Sequence, residues 1–243
     1  MANFLMPVGH TISTDTRETD DALVDTARND VVLERRITVG RGPIGDIAAG
    51  DAGVVVANFG SDSVSILDPA GRALGADVSV EGEPTAVIAT RDRAFVATAS
   101  ASHDAVSVID LETRSVVATF PVAFGVTALA VSPDGKRVYA GRTLGDRVDI
   151  AVIDVVAERV GTIDIGHGPA AAIDALTVDP SGKRLFAAIT DAGGSRLAIV
   201  DAETSRVQRV VAVGSPIRDI AHIDGTVYVL TSDRAAGGAA PVI

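Results

Sequence analysis

Apolar residues along this chain come in short runs closed by tight polar turns. Examples are VVVA at 54–57, ALAV at 128–131, RVYA at 137–140 and IAVI at 150–153. Runs of this length, rich in Val, Ile and Ala and bounded by Gly, Pro, Asp and Ser, predict β-strands. The segment 128–163 shows the grouping most clearly. ALAV leads into the turn SPDGK, RVYA follows, then a polar loop, IAVID and RVGTI. That is four consecutive strands joined by hairpins. Pro133 suits the first corner of the first turn because its ring fixes φ, and Gly135 suits the corner where φ becomes positive.

The same hairpin is written twice, as VSPDGKRVYA at 131–140 and VDPSGKRLFA at 178–187. Three markers recur in phase. Apolar runs end in Asp68, Asp110, Asp154 and Asp201, at intervals of 42, 44 and 47 residues. The runs VVVAN, AFVAT, VYAG, LFAA and VYVL keep step with them, and so do the approaches TVGRGP, SVEGEP, DIGHGP and AVGSP. Four short strands repeated every 42–47 residues predict an all-β propeller of four-stranded blades.

The units fall at about 37–77, 78–119, 120–162 and 163–209, with a partial fifth at 210–243. Two arrangements accommodate the partial unit. The strand-like residues 31–36 could complete it and close a five-bladed ring, or the chain is an open fragment of a larger propeller. The mid-strand stop at Ile243 favours the fragment, which would self-associate through its raw edge. The first thirty residues are acidic, do not fit the repeat and are expected to form a disordered tail.

The pattern VSPDGKRVYA followed by AVSVIDLETRSVVAT (105–119) resembles the YVTN-type β-propeller repeat of bacterial and archaeal proteins. The resemblance covers residues 31–243 and implies a ring of seven blades. It also implies a choice of functions, because such propellers include lactonases, electron-transfer enzymes and binding scaffolds.

Composition narrows that choice. The net charge of −11 and pI of 4.7 disfavour a nucleic-acid partner. Only 3% of residues are aromatic and none is Trp, which suits neither base stacking nor the WD-type repeat. With no Cys there is no thiolate ligand, no Cys nucleophile and no haem held through Cys-x-x-Cys-His. No apolar stretch is long enough to cross a membrane and no signal peptide is evident, so the expected location is cytoplasmic.

Candidate chemistry gathers where first strands meet at the propeller's channel. The connecting loops bring Arg41, Glu83, Phe124, His167 and Ser215 to the mouth. The first strands bring Asp46, Thr85, Thr127, Asp174, Arg218, Asp219 and His222. Asp46, Asp174 and Asp219 could hold a hard divalent cation, although no cofactor is expected. His167 or His222 could act as a general base. Charged side chains that are merely solvated in a wet channel explain the same residues. His103-Asp104 resembles half a dyad, but Asp62, Asp104, Asp146 and Asp233 recur between second and third strands, so turn-forming Asp is the better reading. PDGK lacks the spacing of a phosphate loop, and Ser61-Asp62-Ser63 lacks the nucleophile turn of Gly-x-Ser-x-Gly.

The expected function is a non-enzymatic scaffold that binds a protein or small-solute partner through mouth loops. Those loops differ between blades: TASASHDA, GRTLGDRVD and ITDAGGSR. The alternative is a metal-dependent, lactonase-like hydrolase in the channel.

Overall fold

The computed structural model describes residues 37–232, apart from positions 41, 52, 74 and 224. The segments 1–30 and 31–36, Arg41 and the residues from Asp233 to Ile243 lie outside the described residues.

Each predicted unit is an antiparallel sheet with its strands in sequence order. The first contains β1 (Asp46–Gly50), β2 (Gly53–Asn58), β3 (Ser63–Leu67) and a short β4 (Val78–Ser79). The second contains β5 (Glu83–Ala89), β6 (Arg93–Ala99), β7 (Asp104–Asp110) and β8 (Ser115–Ala123). The third contains β9 (Val126–Val131), β10 (Arg137–Leu144), β11 (Arg147–Asp154) and β12 (Arg159–His167). The fourth contains β13 (Ala172–Val178), β14 (Arg184–Asp191), β15 (Gly194–Asp201) and β16 (Arg206–Ala212). A fifth sheet has two described strands, β17 (Ile217–Ile223) and β18 (Thr226–Thr231).

DIGHGP and AVGSP lie at the end of a fourth strand and in the crossover to the next sheet, and SVEGEP runs from β4 into β5. Each sheet therefore starts several residues later than the unit read from sequence. A crossover must reverse direction over a few residues, and that reversal uses left-handed backbone. Gly125 has φ +83°, and a Cβ there would stand 2.1 Å from the carbonyl oxygen of Thr143. Only glycine fits this corner.

First strands of successive sheets lie beside one another, β1 against β5, β5 against β9, β9 against β13 and β13 against β17. The sheets stack face to face around that line of first strands. Middle strands are covered on both faces, which is why β2 and β3 are buried at every position and why β2 carries the unbroken run Val54 to Ala57. Fourth strands such as β12 and β16 are largely exposed.

The core is a series of slabs between sheets. Phe95, Val106 and Val108 of the second sheet meet Val138, Ala151 and Ile153 of the third. Tyr139 and Ile150 of the third meet Ile173, Leu185, Ala198 and Val200 of the fourth. Small and β-branched side chains allow this close approach. A Cβ on Gly141 would lie 2.8 Å from a methyl carbon of Ile173 in the next sheet.

Candidate functional site

Antiparallel order puts the crossovers and the second-to-third-strand turns at one end of every sheet, and the other hairpin turns at the opposite end. The crossover end is the candidate mouth.

First strands share a local irregularity there. The ladder slips by one residue at Thr85 in β5, Thr127 in β9, Asp174 in β13 and Arg218 in β17. Each is a β-bulge, which turns one side chain out of the sheet. Polar groups at or beside these positions bond to neighbouring strands or to their own backbone. The Thr127 hydroxyl donates to the Ile173 carbonyl of the next sheet at 2.7 Å. Asp46, opening β1, accepts the Val87 amide of the second sheet at 2.9 Å and the Ile47 amide at 2.8 Å. Asp174 accepts the Thr190 hydroxyl, and Asp219 accepts the Ile220 amide at 2.8 Å.

The remaining candidates are scattered. Arg218 is exposed on β17, and Glu83 is exposed at the start of β5. His167 ends β12, exposed and opposite Arg147 in the ladder. Phe124 is an exposed crossover residue, and Ser215 is half-buried in the last crossover. His222 is not at the mouth. It pairs with Val227 near the hairpin end of β17, because a seven-residue strand carries its second-to-last position to the far end. There its ring lies 6.2 Å from that of Phe186, and its buried Nδ1 has no hydrogen-bond partner. Among the described residues, no three His, Asp or Glu side chains come together as metal ligands. Asp46, Asp174 and Asp219 lie on the first, fourth and fifth sheets and bond to separate partners.

Sequence reading missed a carboxylate that holds the crossover at this end. Asp104 is not a turn residue but the buried first residue of β7. Its Oδ2 accepts the amides of Gly125 and Val126 at 2.8 and 3.0 Å, fastening the crossover beside it. The other sheets do this with different atoms. The Asp62 carbonyl accepts Val80 and the Asp146 carbonyl accepts Gly168, while the Ser195 carbonyl accepts Val213 and its hydroxyl accepts Ile217 at 3.3 Å. A buried ion pair was missed as well. Arg142 Nε donates to Asp149 Oδ1 at 2.7 Å, and the guanidinium also reaches the Val122 carbonyl of the second sheet and Thr162. The repeat held the signal, since Arg142 and Asp149 face each other across the β10–β11 ladder.

Comparison with known proteins agrees with this geometry. The sequence model of the YNCE-like beta-propeller family matches residues 8–180. The chain belongs to that family.

Two seven-bladed beta-propeller proteins are similar to this YNCE-like chain. One, Rv1057 of Mycobacterium tuberculosis, is 36% identical over 162 residues, 63% of this chain and 41% of that protein. The other, from Mycolicibacterium smegmatis, is 48% identical over 165 residues, 65% of this chain and 45% of that protein. The chain thus spans less than half the length of these relatives. Among solved structures, Kuenenia stuttgartiensis hydrazine synthase superposes with a TM-score of 0.69 at 22% identity, over 84% of this chain and 60% of that one. The Dos1 propeller does so at 0.65 and 14%, over 84% and 58%. At these identities the likeness is one of fold. No helix among the described residues is long and apolar enough to cross a membrane.

Proposed function

We propose that this chain, built from repeats of the YVTN type, is a non-enzymatic scaffold that recognises a protein or small solute through the loops of its crossover end. The observation that carries this reading is the use of polar groups there. Asp46, Asp104, Thr127 and Ser195 bond to backbone groups of crossovers or neighbouring first strands. A carboxylate that accepts two amides holds structure and is poorly placed to ligate a metal or move a proton. The loops that project beyond this frame, at 100–103, 145–146 and 192–193, differ in length and charge, and varied loops on a rigid frame suit recognition.

A matched pair of proteins tests the proposal: the native chain, and a variant whose three loops are Gly-Ser of equal length. A partner captured by the native chain and lost with the variant, at unchanged thermal stability, supports loop recognition. Equal capture by both contradicts it. Calorimetric titration with calcium, magnesium, manganese and zinc addresses the hydrolase alternative. Saturable heat that disappears on combined alanine substitution of Asp46, Asp174 and Asp219 would favour that alternative.

A further inference from the structure

At the hairpin end, a cleft of about 500 Å³ opens between the third and fourth sheets, both of them four-stranded. Its lining comes from the SPDGK turn and the turn after Asp154 in the third sheet, and from Ser181 and Gly182 of the fourth. The first-hairpin turns of the two sheets close against each other. A Cβ on Gly182 would stand 3.3 Å from Cδ of Pro133. Val156, 71% exposed, adds an apolar side chain to the lining.

The floor is set by a pair that the repeat varies. Second strands begin Arg-Ala-Phe in β6, Arg-Val-Tyr in β10 and Arg-Leu-Phe in β14. Of these three rings only that of Tyr139 carries a hydroxyl, and Tyr139 lines this cleft while only 1% exposed. The Arg137 guanidinium bonds to that hydroxyl. A guanidinium only donates, so the phenol's own proton is left for an acceptor. Burial raises the hydroxyl above its ordinary pKa by more than Arg137 lowers it, so the proton stays in place.

The ionised groups here are held apart. Arg137 Nη1 donates to the Ala202 carbonyl of the fourth sheet at 2.8 Å, and no described carboxylate forms an ion pair with it. Asp154 stands between Arg137 and Arg159 in the ladders and pairs with neither. Its Oδ1 accepts the Val156 and Ala157 amides at 3.1 and 2.8 Å. Lys136 and Asp134 are 3.7 Å apart and both exposed. The lining therefore carries charges of both signs that cancel in sum but not locally.

We infer that this cleft binds a small zwitterion of the α-amino-acid class. The ligand carboxylate takes the remaining N–H groups of Arg137 and the Tyr139 proton, and the ligand ammonium takes the Asp154 carboxylate. A guanidinium fork suits a planar carboxylate. A simple anion or cation would leave one of the facing charges unanswered, and an unpaired charge taken out of water is costly. Pro133 and Val156 offer apolar contact to the ligand's side chain. The cleft lies at the hairpin end, so it is separate from the crossover loops and does not depend on recognition there.

Three probes of one shape separate the charges: L-leucine, isocaproate, which lacks the ammonium, and isoamylamine, which lacks the carboxylate. Each is titrated into the isotope-labelled intact chain and followed through backbone amide shifts. Leucine is expected to give saturable shifts at residues 134–139 and 154–157, and the other two to bind at least tenfold more weakly. Tyr139→Phe installs the residue that the second and fourth sheets already use. It is expected to weaken leucine about tenfold, as for losing a hydrogen bond to a charged group, at unchanged melting temperature. Asp154→Asn, which keeps an acceptor for the turn amides, is expected to weaken leucine likewise and to leave isocaproate unchanged. Should Tyr139→Phe lower the melting temperature, the Asp154→Asn comparison decides. Absence of saturable shifts, shifts confined to the crossover end, equal affinity for isocaproate, or variants that bind leucine as tightly as the native chain each overturn the assignment.

Discussion

Ser132 and Asp179 hold the same place in two hairpins, yet one is a hydroxyl and the other a carboxylate. The Ser132 oxygen accepts the Arg137 amide at 2.9 Å and donates to Asp134 at 2.7 Å. Asp179 accepts the Arg184 amide at 3.0 Å and the Ser181 hydroxyl at 2.7 Å. SPDG and DPSG are thus one turn with two groups exchanged. The marker acids at third-strand ends act alike. Asp110 accepts the Thr113 and Glu112 amides, and Asp201 accepts the Thr204 and Glu203 amides. Bonding first to the Thr113 amide lowers Asp110 below its ordinary value of 3.8, and bonding first to the Thr204 amide does so for Asp201. Asp134 is lowered chiefly by the Ser132 hydroxyl. At Asp179 burial pushes the pKa up, but the Arg184 amide and Ser181 hydroxyl outweigh it. A carboxylate lowered on folding contributes stability that is complete above its unfolded pKa and is lost as pH falls through the folded one. The chain is therefore expected to lose stability in acid, from about pH 4 downward on ordinary Asp values. In a pH titration followed by circular dichroism, the double variant Asp110→Asn, Asp201→Asn is expected to show a shallower acid transition. An unchanged profile would mean that these acids do not contribute through their charge.

The strands and their hairpins were legible in the sequence because small and β-branched runs between Pro, Gly and Asp leave few alternatives. Two features were not. Bulge positions are set by the meeting of neighbouring first strands, a tertiary condition that no local pattern encodes. Asp104 matched Asp62 and Asp146 in spacing, yet its carboxylate turns inward to the Gly125 and Val126 amides while those two use their carbonyls. The Arg142–Asp149 pair was readable once β10 and β11 were aligned, because the ladder sets these two opposite charges across from each other. Burial makes that pair sensitive, with Asp149 2% exposed. Arg142→Met leaves the buried Asp149 carboxylate with only the exposed Arg147 guanidinium at 3.5 Å, and breaking a buried pair costs about 3–5 kcal/mol. The double variant Arg142→Met, Asp149→Leu is expected to recover most of this in denaturant unfolding. A single variant as stable as the native chain would show that the pair is not buried as described.

At the scale of the molecule, each sheet is stabilised mainly by the slabs on either side of it, as in other repeat architectures. The consequence is visible at the last sheet. Phe95, Tyr139 and Phe186 hold equivalent positions and are all buried, whereas the equivalent Tyr228 is 39% exposed, beside Leu230 at 62%. Among the described residues no neighbouring sheet covers Tyr228 as the third, fourth and fifth sheets cover Phe95, Tyr139 and Phe186. The sequence therefore indicated the stacking and most of the strands. It misplaced His222, which was grouped with the mouth residues although, one position before the end of β17, it lies at the hairpin end. The central claim is that polar groups at the crossover end fasten sheets together. Site-resolved hydrogen exchange of the native chain and Asp104→Ala tests it most directly. The account predicts that exchange at the Gly125 and Val126 amides speeds by at least about tenfold, as expected for losing a charge-assisted bond, while β10 and β11 keep their protection. Unchanged exchange at those two amides would contradict it.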